Sequence, residues 1–64
     1  MKLEYKTSMS ECYITKIGKR VIIGLTSEGW YVYVRMPGTI GEEIATRCSY
    51  RQAKGIAKEQ YYAV

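Results

Sequence analysis

The chain has 64 residues, carries ten Lys and Arg against six Glu, and is 47% apolar and 25% charged. A chain of this length buries only about 60% of its unfolded surface, so it has room for one thin core, and residues 1–64 are expected to form a single small domain. The composition excludes intrinsic disorder, and the formal charge of +4 is compatible with a polyanionic partner.

The first ten residues show no clear periodicity, and they are expected to form either a loose N-terminal arm or an edge strand. Residues typical of strands then dominate from position 11 to position 36, with turn signals at Gly18-Lys19 and at 27–29. The pattern predicts three strands, in chain order, at about 11–17, 20–26 and 29–36.

The register of the two predicted hairpins follows from their turns. A two-residue turn at Gly18-Lys19 would pair Tyr13 with Gly24, and a four-residue second loop would pair Leu25 with Trp30. Both choices bring apolar side chains to one face, and this agreement supports the register because a one-residue slip exchanges the two faces of a strand. The predicted inner face consists of Cys12, Ile14, Val21, Ile23, Leu25, Trp30, Val32 and Val34.

The last third of the chain is expected to form a short final strand and a helix. The strand is predicted at residues 42–48, and Ser49 with Gln52 has the spacing of a helix capping box. Gly55 either permits a close approach to Trp30 or is simply a surface position. An apolar stripe at helical spacing would pack on the sheet and is formed by Tyr50, Ala53, Ile56, Ala57 and Tyr61. The predicted fold class is therefore α+β, with a three- to four-stranded antiparallel sheet packed on one C-terminal helix.

Enzymatic chemistry is not expected. The chain has no His and no Asp, and the adjacent carboxylates of Glu42 and Glu43 would point to opposite faces of a strand. We therefore predict no catalytic residue, no metal, no cofactor and no small-molecule substrate. The chain contains no apolar run long enough to span a membrane, so a cytoplasmic protein with no membrane partner and with Cys12 and Cys48 as free thiols is expected.

The predicted outer face of the sheet is where a function is expected. It would carry Tyr13, Tyr31 and Tyr33, with Arg20 and Arg35 facing one another. Arg and Tyr on a bare sheet can contact phosphates and bases, and both residue types are also enriched in protein interfaces. Arg51, Lys54 and Lys58 share one side of the helix, where they either extend a positive surface or form a solvated face.

The segment from Gly29 to Arg35, a Pro-Gly loop, a short strand and the sequence Ser49-Tyr50-Arg51-Gln52-Ala53 together resemble AP2-like DNA-binding domains. The pattern is also similar to the arm-type N-terminal domains of phage and transposon integrases, and it covers residues 19–62. The resemblance implies a three-stranded sheet, backed by one helix, that docks in the major groove. It further implies that Tyr31, Tyr33 and Arg35 contact DNA with Arg20 beside them, and that a core is formed by Trp30, Val32, Val34, Ala53 and Ala57.

Two functions follow as hypotheses. The first is a small DNA-binding protein that docks its sheet face on duplex DNA. The second is a small regulator of the phage or plasmid type that binds a host protein through the same face. RNA binding and a homodimer stay open. The predicted contact residues are Tyr13, Arg20, Tyr31, Tyr33, Arg35, Arg51 and Lys54.

Overall fold

The computed structural model describes residues 1–63 and contains one five-stranded sheet and one helix. All neighbouring strands are antiparallel and follow one another in chain order across the sheet. The elements are β1 Leu3–Lys6, β2 Ser10–Ile14, β3 Arg20–Thr26, β4 Gly29–Arg35, β5 Glu42–Cys48 and α1 Tyr50–Tyr62. The α+β class with one C-terminal helix is confirmed, but the predicted strand number is too low because part of the first ten residues forms the edge strand β1.

The hairpin between β3 and β4 has the predicted register. Leu25 pairs with Trp30, Ile23 pairs with Val32, and the turn closes where Thr26 pairs with Gly29. Gly29 has a φ of +124°, a backbone conformation that L side chains rarely adopt. Because the turn is short and has a glycine where the backbone needs a positive φ, the register of this hairpin could be predicted from the sequence.

The predicted register of the hairpin between β2 and β3 is wrong. The connecting loop comprises residues 15–19 rather than two residues, and it is closed by a hydrogen bond from the Thr15 amide to the Lys19 carbonyl oxygen at 2.9 Å. Tyr13 consequently pairs with Val21 instead of Gly24. This displacement is three residues, an odd number, so every side chain of β2 lies on the face opposite to the predicted one.

Reversing the faces of β2 changes the composition of the core. Tyr13 is buried under the helix and does not belong to the outer face, whereas Cys12 and Ile14 belong to the outer face and not to the inner one. The hydrophobic core consists of Tyr13, Val21, Ile23, Val32, Ala53 and Ala57.

Trp30 lies on the inner face as predicted, but it is only half-buried. Its ring meets the ring of Tyr50 edge-to-face, with 5.0 Å between the ring centroids. Gly55 is exposed, and a Cβ atom placed on it would meet no atom within 4 Å. The interpretation that Gly55 permits a close approach to Trp30 is therefore wrong, and Gly55 is a surface position.

The helix begins as predicted. The Ser49 hydroxyl accepts a hydrogen bond from the Gln52 amide at 3.1 Å, and the Gln52 side chain accepts one from the Ser49 amide at 2.9 Å. α1 has 13 residues, and within residues 1–63 no helix is long and apolar enough to cross a membrane.

The two outer strands differ from regular edge strands. The pairing of β1 with β2 shifts once, and the pairing of β5 with β4 shifts twice, as expected for β-bulges. Arg47 in β5 has a φ of +56°, an uncommon value for a residue other than glycine. Bulged edges pair poorly with a further strand, so a surface for partners is better sought on the faces of the sheet.

Cys12 and Cys48 are free thiols, and their positions explain why. Cys12 lies on the outer face in β2, whereas Cys48 pairs with Trp30 on the inner face in β5. Two strands lie between β2 and β5, so the separation is roughly 14 Å at about 4.8 Å per strand, well beyond the reach of a disulfide bond.

Candidate binding face

The side of the sheet that faces away from α1 is the candidate site, and we call it the outer face. Residues that pair across neighbouring strands share a face, so the pairings of β1 to β4 define its members. The outer face includes Tyr5, Cys12, Ile14, Arg20, Ile22, Gly24, Tyr31, Tyr33 and Arg35. Tyrosine rings and arginines, which were predicted for this face, are thus present together, and Ile22 lies among them.

The rings of Tyr31 and Tyr33 are held against glycines. The Tyr31 ring lies over Gly24, where an added Cβ atom would stand only 2.2 Å from the ring. The Tyr33 ring lies against Gly41 in the loop between β4 and β5, where an added Cβ atom would stand 2.6 Å away. The Tyr33 hydroxyl also donates a hydrogen bond to the Ile40 carbonyl oxygen. Both rings are therefore positioned before any partner binds.

The two arginines face one another, as predicted, but their environments differ. Arg20 donates two hydrogen bonds to the carboxylate of Glu4, at 2.8 and 3.0 Å, and this arginine lowers the pKa of Glu4. Arg35 donates through Nε to the Thr39 carbonyl oxygen at 3.1 Å, and within residues 1–63 it forms no ion pair. Arg35 is thus the arginine of this pair with an available guanidinium fork.

Cys12 lies beneath the β1 side of the outer face and is fully buried. Burial and the nearby carboxylate of Glu4 raise the pKa of the Cys12 thiol to about 11, so the thiol is protonated and unreactive at neutral pH. Tyr5, which pairs with Cys12, remains 45% exposed and adds a third ring to the face.

The charges on and around the outer face balance. Three arginines are matched by three glutamates, and two of the arginines are already paired, Arg20 with Glu4 and Arg47 with Glu28. Glu43 pairs with Tyr33 across β4 and β5. The surplus of four positive charges therefore lies on the remaining loops, on β1 and on the helix. The six groups are Arg20, Arg35, Arg47, Glu4, Glu28 and Glu43.

Two predicted contact residues, Tyr13 and Lys54, lie on the inner side of the sheet instead. The Lys54 ammonium group donates to the carboxylate of Glu11 at 3.1 Å and also donates to the Tyr13 hydroxyl. The hydroxyls of Tyr13 and Tyr50 both donate to Glu11, whose exposed fraction is 4%. We call Glu11, Tyr13, Tyr50 and Lys54 the inner cluster. The prediction that Tyr13 belongs to the outer face is wrong, and Lys54 does not extend a free positive surface.

The inner cluster favours the charged forms of Glu11 and Lys54. Burial alone would raise the pKa of Glu11, but hydrogen bonds from Tyr13, Tyr50 and Lys54 lower it to about 2. The hydrogen bonds to Tyr13 and Glu11 raise the pKa of Lys54. The cluster therefore joins β2 to the helix through an ion pair in which the Glu11 carboxylate is buried with satisfied hydrogen bonds and the Lys54 side chain is 40% exposed, a structural role.

Arg51 is exposed on the first turn of the helix, away from the outer face. Sequence reasoning missed Glu4 and Tyr5, because the first ten residues have no period that would place them on a sheet. It also missed Glu11 as a buried group. A signal for Glu11 does exist, since Tyr50 and Lys54 are four residues apart on the helix and together offer two donors to an acid on the opposing strand.

The chain matches no protein-family model, no curated protein and no solved structure. The resemblance to AP2-like domains therefore stays a prediction.

Proposed function

We propose that this protein is a cytoplasmic binding module, not an enzyme, and that its outer face docks on another protein. The observation that carries the proposal is a sheet face with three tyrosine rings, two of them held against glycines, and with balanced charge. Tyr and Arg are the residues that dominate the energy of protein interfaces. Rings that are already positioned lose little conformational entropy on binding.

The charge balance favours a protein over DNA as the partner. Phosphates approaching the outer face would meet the carboxylates of Glu4 and Glu43 as well as the guanidinium of Arg35. The inner cluster removes Lys54 from the contact set, and Arg20 is neutralised by Glu4. Binding in a DNA groove depends on several unpaired cations acting together. Among residues 1–63, the outer face has one arginine without an ion pair, Arg35.

Duplex DNA is the second candidate, and Arg35 together with the net charge of +4 favours it. In that case a salt titration with random duplex DNA should show affinity falling steeply as salt rises. Arg35→Ala should flatten that dependence by roughly one unit of slope if the contact is to phosphate. An Arg35→Ala variant that folds and binds DNA at low salt as the wild type does would count against the groove model.

Site-specific crosslinking tests the protein-binding proposal. A benzophenone amino acid is incorporated at position 31 on the outer face or, as a matched control, at position 62, where Tyr62 is 60% exposed near the end of the helix. Illumination in cells should yield a crosslinked protein from position 31 and not from position 62. The crosslinked protein is then identified, purified and titrated against the unmodified chain. A purified partner that binds equally well when Tyr31 and Tyr33 are both alanine would refute the proposal.

A further inference from the structure

The outer face contains a small pocket between its tyrosine rings and Arg35. It is lined by Ile22, Tyr31, Tyr33, Arg35 and Ile40 and has a volume of about 290 Å³. This volume is at the lower limit of small-molecule sites, which begin at about 300 Å³. The pocket thus has room for one large side chain and a neighbouring polar group.

The two tyrosine rings that line the pocket pack closely against glycines. Gly24 leaves the space in which the Tyr31 ring lies, and Gly41 does the same for the Tyr33 ring. The Tyr33 hydroxyl is anchored on the Ile40 carbonyl oxygen. Both rings belong to β4, and Ile22 lies on the neighbouring strand β3, opposite Tyr33, so the floor of the pocket is apolar.

The rim of the pocket carries one available cation. The hydrogen bond from Arg35 Nε to the Thr39 carbonyl oxygen orients the guanidinium group, and within residues 1–63 its two Nη atoms have no hydrogen-bond partner. A planar guanidinium fork matches the two oxygens of a carboxylate. Arg20 on the same face makes a two-point contact with the Glu4 carboxylate through Nε and Nη2, whereas in Arg35, whose Nε donates to Thr39, the two Nη atoms are the available pair.

We propose that this pocket binds a peptide segment in which an apolar or aromatic side chain lies next to a carboxylate, with the side chain between the two tyrosine rings and the carboxylate on Arg35. This inference rests on the proposed protein-binding function and specifies the chemistry of the partner. An acidic peptide is favoured over a polyanion because Glu4 and Glu43 leave the face with no net charge. A single carboxylate satisfies Arg35 without opposing those acids.

The test is an amide chemical-shift titration of the full chain with acetyl-Phe-Glu-amide and, as a matched control, acetyl-Phe-Gln-amide. The glutamate peptide should shift the amides of Ile22, Tyr31 and Tyr33 and bind about five- to tenfold more tightly than the glutamine peptide, as for a charge-assisted hydrogen bond. Arg35→Lys, which keeps the charge but loses the fork, should remove most of that preference. Arg51→Lys, on the helix and away from the outer face, should leave it unchanged.

A second variant tests the walls. Gly24→Ala should push the end of the Tyr31 ring out of place and weaken both peptides alike, while leaving the amide spectrum folded. Tyr31→Ala provides the same test without added volume. Inorganic phosphate and a random 12-base-pair duplex are titrated in parallel as alternative anions.

Equal binding of the two peptides, absence of binding, or duplex DNA shifting the same amides more strongly than the glutamate peptide would each overturn the inference. The proposed function is judged separately by the crosslinking experiment. A partner that crosslinks at position 31 and binds the Arg35→Lys variant unchanged would refute the acidic motif alone. A glutamate peptide that binds when no partner crosslinks would refute the function alone.

Discussion

Both faces of the sheet carry tyrosines and a cationic side chain, but the surroundings of these residues differ. On the inner face, the hydroxyls of Tyr13 and Tyr50 and the Lys54 ammonium converge on a buried Glu11. On the outer face, Tyr31 and Tyr33 project beside an arginine whose fork is available. Tyr13 is buried between the sheet and the helix and belongs to the core, whereas Tyr31 and Tyr33 lie on the face that the helix does not cover. Residue type alone therefore does not separate structure from function in a chain this small.

The largest effect is expected from removing the acid of the inner cluster. Glu11→Ala leaves two tyrosine hydroxyls without their acceptor and the Lys54 ammonium without its counterion, so the free energy of unfolding should fall by about 2 to 4 kcal/mol. Glu11→Gln keeps an acceptor of similar shape and should cost less. Urea denaturation measures both variants. Glu43→Ala on the outer face is the control and should change stability by less than about 0.5 kcal/mol. Equal losses at the two positions would remove the distinction between the faces.

The second-largest loss of stability is expected when acid protonates Glu11 in the inner cluster. The pKa of Glu11 is about 2 in the folded protein and near 4.5 in the unfolded chain. Because the folded value is the lower one, the contribution of Glu11 is fully present above about pH 5 and is lost as the pH falls towards 2. The shift corresponds to roughly 3 kcal/mol. Urea denaturation at pH 6, 4 and 3 should show this loss in the wild type and much less of it in Glu11→Ala.

Removing single hydroxyl groups compares the two faces directly. Tyr13→Phe removes a donor to Glu11 and an acceptor for Lys54, and it should cost about 1 to 2 kcal/mol. Tyr31→Phe removes a hydroxyl on the outer face and should cost less than about 0.5 kcal/mol. Thermal unfolding followed by circular dichroism measures both. A Tyr31→Phe loss as large as that of Tyr13→Phe would show that the outer ring also supports the fold.

The smallest effect on stability is expected at Arg35. Arg35→Gln removes an exposed guanidinium with one hydrogen bond to a loop carbonyl oxygen, and the free energy of unfolding should change by less than about 0.5 kcal/mol. The same substitution should weaken partner binding. A large loss of stability would instead assign Arg35 to holding the loop between β4 and β5.

Much of the fold is readable from the sequence where short-range rules apply. The β3–β4 hairpin, the β5 range and the Ser49 capping box follow from turn residues, alternation and cap spacing. The β2–β3 hairpin does not, because Gly18-Lys19 resembles a two-residue turn while tertiary packing selects a five-residue loop. In the segment from Glu11 to Ile17, apolar residues occur at both parities, so the wrong parity also produces a plausible apolar face.

The same error limits prediction of the site. Tyr31, Tyr33, Arg20 and Arg35 are placed on the outer face by the hairpin that is predicted well. Tyr13 is misplaced because its face depends on the other hairpin. The ion pair of Arg20 with Glu4 could not be predicted, because Glu4 lies in an edge strand whose sequence has no periodic pattern.

The most direct test of the account is the affinity of the crosslinked, purified partner for two tyrosine variants, measured by isothermal titration calorimetry. Tyr31→Ala on the outer face should weaken binding by about tenfold or more, as for an aromatic residue at the centre of an interface. Tyr62→Ala near the end of the helix should leave the affinity within about twofold of the wild type, because a single exposed residue outside an interface contributes little. Equal affinities for Tyr31→Ala and the wild type, with binding lost in Tyr62→Ala, would contradict the account and place the partner on the helix side.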